Sequence, residues 1–166
     1  MYFIENQVTG VNPHDELSFE ESAKIIIGHV IKGIELARKN NLPEQLIDFI
    51  RTHHGTSTVQ YFYRSYLQNF PEGELEKKDF TYPGPKPFTR EMAILMMADS
   101  VEAASRSLKE YTPETVNNLV DSIIDRQFEE NQFESADITL RDITEVRSIF
   151  KKKLLNIYHV RVEYPS

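Results

Sequence analysis

The sequence predicts an all-α fold of about six helices, in a single domain spanning residues 1–166. Two observations carry this. Apolar residues recur at helical spacing over long segments, and no stretch alternates as a strand would. Each segment also opens on a recognisable N-terminal signal.

Ser18, with Glu21 three residues on, forms a capping box and opens "SFEESAKIIIGHVIKGIELARKNN". Its apolar positions include Ala23, Ile26, Ile27, Val30, Ile31 and Ile34. Pro43, at a first-turn position, opens "PEQLIDFIRTHH". There Leu46, Phe49 and Ile50 share one face, and Gly55 ends the helix. An aromatic-rich helix runs from about Thr58 to Phe70. The next stretch, "PEGELEKKDFTYPGPKPF", holds four prolines and two glycines and reads as a long loop. Loops of that length inside compact domains tend to be functional or mobile. Thr89 caps "TREMAILMMADSVEAASRSLKE", and Thr112-Pro113 starts a fifth helix through Phe133. Thr139, with Asp142 three residues on, starts a sixth through about Tyr158.

Composition narrows the function classes. Apolar residues make up 40% and charged residues 27%, which is globular rather than disordered. A net charge of −7 without a long Lys/Arg run argues against a nucleic-acid groove. Lys151, Lys152 and Lys153 read as a solvated helix face. The absence of cysteine excludes disulfides and thiolate metal sites. No apolar run approaches the ~20 residues that span a bilayer, and no signal-peptide core opens the chain. A soluble chain is expected.

The chemistry lies in the polar exceptions to the helical stripes. His53 follows Leu46, Phe49 and Ile50 at i+7, which puts it on the apolar stripe. His54 comes one position round, beside Ile47 and Ile50, and His29 borders the stripe of the first helix. Met92, Leu95 and Met96 lead directly to Asp99, a carboxylate on an apolar stripe that is costly to bury unless paired. Singly, each has a structural reading: an interfacial histidine is usually hydrogen-bonded in the core, and Asp99 can pair with Arg106. Together, three imidazoles and one carboxylate projecting inward from three helices describe a metal site. Such ligands suit iron, manganese, zinc or nickel without selecting among them. Successive helical residues point roughly 100° apart. His53 and His54 can therefore reach one ion only where the last turn opens, and Gly55 supplies that end.

"GHV" at His29, "HHGT" at His53 and His54, and "MADSVEAASR" at Asp99 resemble the latter part of the HD phosphohydrolase pattern, H…HD…H…HH…D. More narrowly, "YFIENQVTGVNPHDELSFEESAKIIIGHVIKGIELA", "RTHHGT" and "YPGPKPFTREMAILMMADSVEAASRSL" resemble the seven-transmembrane HD family, over nearly the whole chain. The resemblance implies an HD-domain-like helical bundle, truncated at its N-terminus. It also implies a metal-dependent phosphodiesterase that hydrolyses cyclic di-AMP to linear pApA. The intact site would use two divalent ions, iron, manganese or similar, with His29, His53 and His54 holding one and Asp99 helping to hold the other. The implied setting is the cytoplasmic domain of a bacterial inner-membrane protein, joined to the membrane only through segments that this sequence does not contain.

The family's first His and its HD dipeptide come before the "ENQ" words, and this chain begins immediately upstream of those words at Met1. His14-Asp15 in "NPHDEL" is not that dipeptide, because it lies in a Pro-containing loop just before Ser18. These 166 residues alone are accordingly expected to show negligible phosphodiesterase activity and to hold one ion or none. They are also expected to self-associate through the apolar surface that the leading helices would cover.

Arg106, seven residues after Asp99, is a candidate for a bidentate phosphate contact; the alternative is an ion pair with Glu102 or Glu110. Lys86, in the proline-rich loop, is a weaker phosphate candidate. Tyr61 is the candidate to stack on a purine, although aromatic sets on helices usually pack in cores. His159 is expected at the surface. The expected partner is a cyclic dinucleotide, with no nucleic acid. Two other readings stay open: an HD hydrolase of another nucleotide phosphate ester, and a non-catalytic HD-fold ligand-sensing module.

Overall fold

A computed structural model describes residues 17–159. Among the described residues there are six α-helices and no strand, and the chain divides into two compact units that meet between Pro85 and Lys86. No helix among these residues is long and apolar enough to cross a membrane. Residues His14, Asp15 and the "ENQ" words lie outside the described residues.

The first unit contains α1 (Phe19–Lys39), α2 (Glu44–Thr52), α3 (Gln60–Asn69) and a 3-10 turn, Lys77–Phe80. The Ser18 capping box forms as expected: Glu21 N–H donates to Ser18 Oγ at 3.1 Å, and Ser18 N–H donates to Glu21 Oε2 at 3.0 Å. The backbone bond from Ser18 holds the Glu21 carboxyl below the usual carboxylate range. Pro43 stands one place earlier than expected, at the N-cap of α2. On α2 the buried apolar position is Ile47, 2% exposed, whereas Leu46 is 47% exposed. The apolar stripe is thus centred one residue further round than the spacing of Leu46, Phe49 and Ile50 suggests. The core gathers Ala23, Tyr66 and Phe80, with Phe19, Val59, Phe62, Tyr63 and Leu75 packed against it. Ile31, placed by sequence among the apolar positions of α1, is exposed.

The proline-rich stretch is tied down at several points rather than hanging open. Glu76 N–H donates to Asp79 Oδ2 at 2.7 Å, which caps the 3-10 turn. Phe80 is fully buried between Tyr63 and Tyr66. Backbone bonds Val59 N–H to Phe80 O (2.8 Å) and Tyr82 N–H to Ser57 O (2.9 Å) flank an antiparallel bridge between Thr58 and Thr81.

The second unit contains α4 (Arg90–Ser105), α5 (Pro113–Glu129) and α6 (Leu140–His159). Thr89, Thr112 and Thr139 cap them through bonds with Met92, Thr115 and Asp142. The core contains Ala93, Met96, Met97, Val101, Val116, Val120, Ile124, Ile143 and Val146. Helix α5 ends at Glu129, four residues before Phe133. Asn131 takes the left-handed conformation, φ 53°, and after that reversal Phe133 turns back into the core. Arg147 bridges Asp121 and Asp125 across α5 and α6, and Lys151 also pairs with Asp121. Lys152 and Lys153 are the exposed members of the expected lysine face.

Candidate metal centre

The structure brings His29, His53 and His54 together. One ligand atom from each lies within 4.8 Å of the others. His29 Nε2 is 3.1 Å from His53 Nε2 and 3.2 Å from His54 Nε2. All three rings are half-buried.

Local backbone geometry delivers them. His29 comes from the middle of α1, while His53 is the C-cap residue of α2. Gly55 then adopts φ 50°, a left-handed backbone that glycine takes without strain, and its N–H donates to Thr52 O at 2.9 Å. The opened last turn lets two consecutive side chains face one point, as their adjacency requires.

The protonation pattern follows from the hydrogen bonds. His29 Nδ1 lies 2.5 Å from Ile26 O, and His53 Nδ1 lies 2.7 Å from Ile50 O. A carbonyl only accepts, so each Nδ1 donates its proton to it, and in the neutral ring that leaves the lone pair on Nε2. Two lone pairs 3.1 Å apart cannot bond each other. A cation among the three nitrogens relieves that repulsion. Nitrogens about 2.0–2.1 Å from one ion sit roughly 2.9–3.4 Å apart, depending on geometry. The donor set and its spacing therefore fit one divalent ion.

Electrostatics agree. Burial pushes the His54 imidazolium down to about 3 from 6.5, and positive charge on His53 or His29 would act in the same direction. His54 is therefore a neutral imidazole at pH 7, the form that ligates a metal. Tyr82, 6% exposed, stacks on His54 with ring centroids 4.3 Å apart and an interplanar angle of 27°, and meets His29 edge-on at 6.0 Å. Sequence reading missed Tyr82, because a proline-rich loop has no periodicity from which to place a ring.

The remaining candidates stand as follows. Asp99 is half-buried on α4, whose buried positions are Met92, Ala93, Met96, Met97, Val101 and Ser105. It flanks that stripe rather than centring it, and Leu95 is 40% exposed. Arg106, at the C-cap of α4, grips Glu102 with Nη2 2.8 and 2.9 Å from the two carboxylate oxygens. Lys86 Nζ donates to Glu134 Oε1 at 2.8 Å. Tyr61 is 73% exposed and meets Phe62 edge-on. His159 ends α6, and its side chain lies outside what is described.

No family model matches the chain. Among curated proteins it is 42% identical over 165 residues to the cyclic-di-AMP phosphodiesterase PgpH of Listeria monocytogenes, covering 99% of this chain. It is 40% identical over 165 residues to the PgpH of Bacillus subtilis, again over 99% of this chain, and 36% identical to an uncharacterized protein of Synechocystis over 99% of this chain and 21% of that protein. The chain spans 23% of the length of each PgpH relative. A crystal structure of the L. monocytogenes PgpH HD domain in complex with cyclic di-AMP superposes with a TM-score of 0.89 at 41% identity, covering 95% of this chain and 72% of that one. A second crystal structure of the same HD domain gives 0.87 at 41% identity, over 95% and 73%. Helical architecture and sequence identity over most of a solved domain lead to one conclusion: this chain belongs to the family of PgpH HD domains.

Proposed function

We propose that the chain is the HD part of a metal-dependent phosphodiesterase that hydrolyses cyclic di-AMP to the linear dinucleotide. The observation that carries the proposal is the convergence of three imidazole Nε2 atoms into one donor set. The PgpH relatives, and the solved HD domain with cyclic di-AMP bound, supply the reaction class.

In this reading His29, His53 and His54 hold one ion, iron or manganese. Asp99 helps to hold the second, an assignment that rests on the words "MADSVEAASR" and on its half-buried place on α4. Bound divalent ions lower the pKa of water and neutralise charge on a phosphoryl oxygen. The chain's own groups do the rest. The carbonyls of Ile26 and Ile50 fix the tautomers of His29 and His53 and aim their lone pairs. His54 stays uncharged, so it offers its lone pair across the neutral range. None of these groups is a nucleophile; together they form an electrostatic scaffold.

The test uses the natural protein. His53→Ala and His54→Ala should each lower conversion of cyclic di-AMP to linear dinucleotide by at least 100-fold, followed by chromatography. Variants that keep wild-type turnover would refute the proposal. Turnover of another nucleotide phosphate ester, with cyclic di-AMP untouched, would keep the metal chemistry and reject the substrate.

A further inference from the structure

Tyr82 has no part in the chemistry described above, yet it is nearly inaccessible and lies against two of the three imidazoles. Its ring stacks on His54 at 4.3 Å and 27°, while the His53 ring lies tilted beside His54 at 4.0 Å and 39°. Tyr82 is itself fixed by backbone. Its N–H donates to Ser57 O at 2.9 Å, Thr58 bridges Thr81, and Phe80 O accepts from Val59 N–H at 2.8 Å. The residue before Tyr82 and the one two before it are anchored to the segment that immediately follows the histidine pair. The loop therefore has a defined register on the site, and that register sets where the phenol ring lies.

His29 and His53 show how this site orients its rings. Each of those two rings is oriented by its own Nδ1 bond to a carbonyl three residues back, at 2.5 and 2.7 Å. A carbonyl bond fixes the rotation of an imidazole, and a flat aromatic neighbour can fix it as well, since offset stacking has a preferred geometry.

We infer that Tyr82 is a positioning residue: its ring face locks His54 so that Nε2 is aimed at the metal, coupling the proline-rich loop to metal affinity. The inference rests on the reading of the triad as a metal site. It assigns the useful property to the ring rather than to the hydroxyl. Tyr82→Phe should therefore preserve the site, whereas Tyr82→Leu, apolar but without a ring, should not.

The experiment titrates cobalt(II) chloride into the full chain, read by its visible absorption bands, alongside NMR of the histidine ring protons without metal. Wild-type protein and Tyr82→Phe should bind within about threefold of each other. Tyr82→Leu should bind about tenfold more weakly, the cost typical of losing an outer-shell partner. The His54 ring protons should be shifted upfield in wild type and in Tyr82→Phe, and should lose that shift in Tyr82→Leu. Equal cobalt affinity in Tyr82→Leu and wild type overturns the inference, as does a tenfold loss in Tyr82→Phe. If Tyr82→Leu fails to fold, the wild-type and Tyr82→Phe spectra decide: no upfield shift at His54 overturns it. Failure of wild type to bind cobalt at all, with the His54 shift present, would instead reject the metal reading on which the inference depends.

Discussion

Acidifying the metal-free protein tests the buried, neutral state of His54. Its imidazolium is held at about 3 when folded, against 6.5 as its ordinary value. The depressed value means that the unfolded chain binds the extra proton throughout this window. Stability contributed by neutral His54 is therefore intact above pH 6.5 and is lost as pH falls towards 3. Each pH unit is worth about 1.4 kcal/mol. Moving from about pH 7.5 to about pH 4.5 crosses roughly two units below the unfolded value, so this single group should cost about 3 kcal/mol. That figure depends on the unfolded value and hardly on the folded one, provided the latter stays below about 4. Carboxylates with lowered values, such as Glu21 and Asp142, also cost stability on acidification. Comparison with His54→Gln removes them. Urea unfolding in EDTA at both pH values should give wild type a pH-dependent loss about 2–3 kcal/mol larger than the variant's. Parallel losses in the two proteins would refute the claim that His54 is buried as a neutral ring beside two other imidazoles.

Three further outcomes follow from the same geometry. Gly55→Ala forces a side chain into the left-handed backbone that ends α2, at φ 50°; it should cost about 1–2 kcal/mol and weaken cobalt binding, both read from one titrated melting series. Phe80→Ala empties a fully buried ring site between Tyr63 and Tyr66 and should cost about 3–5 kcal/mol by urea unfolding. Asp99→Asn, in the natural protein, should lower the metal content measured by plasma mass spectrometry by about one ion per chain while the ion on the histidines remains.

Much of this architecture is legible in the sequence where the deciding forces are local. The caps at Ser18, Thr89, Thr112 and Thr139 use side chains bonded to backbone three residues away, so spacing alone reveals them. The convergence of His29 with His53 and His54 is legible because each lies on or beside an apolar stripe and a glycine follows the pair. Where two apolar residues are adjacent, spacing stops being decisive. Leu46 and Ile47 both satisfy a helical pattern, and only packing chooses Ile47 for burial. The same holds for Leu95, which is exposed beside buried Met96. The end of α5 is set by Asn131, whose left-handed turn returns Phe133 to the core without continuing the helix. Tyr82 depends on a pairing between Ser57–Thr58 and Thr81–Tyr82, some two dozen residues apart in the chain, which local pattern cannot encode.

The most direct test is an anomalous difference map, collected at the iron and manganese absorption edges from crystals grown with the corresponding ion. A peak bonded at once to Nε2 of residues 29, 53 and 54 is the predicted result. A well-ordered map in which those nitrogens surround no anomalous scatterer, or in which the ion sits on other groups, would contradict the central claim.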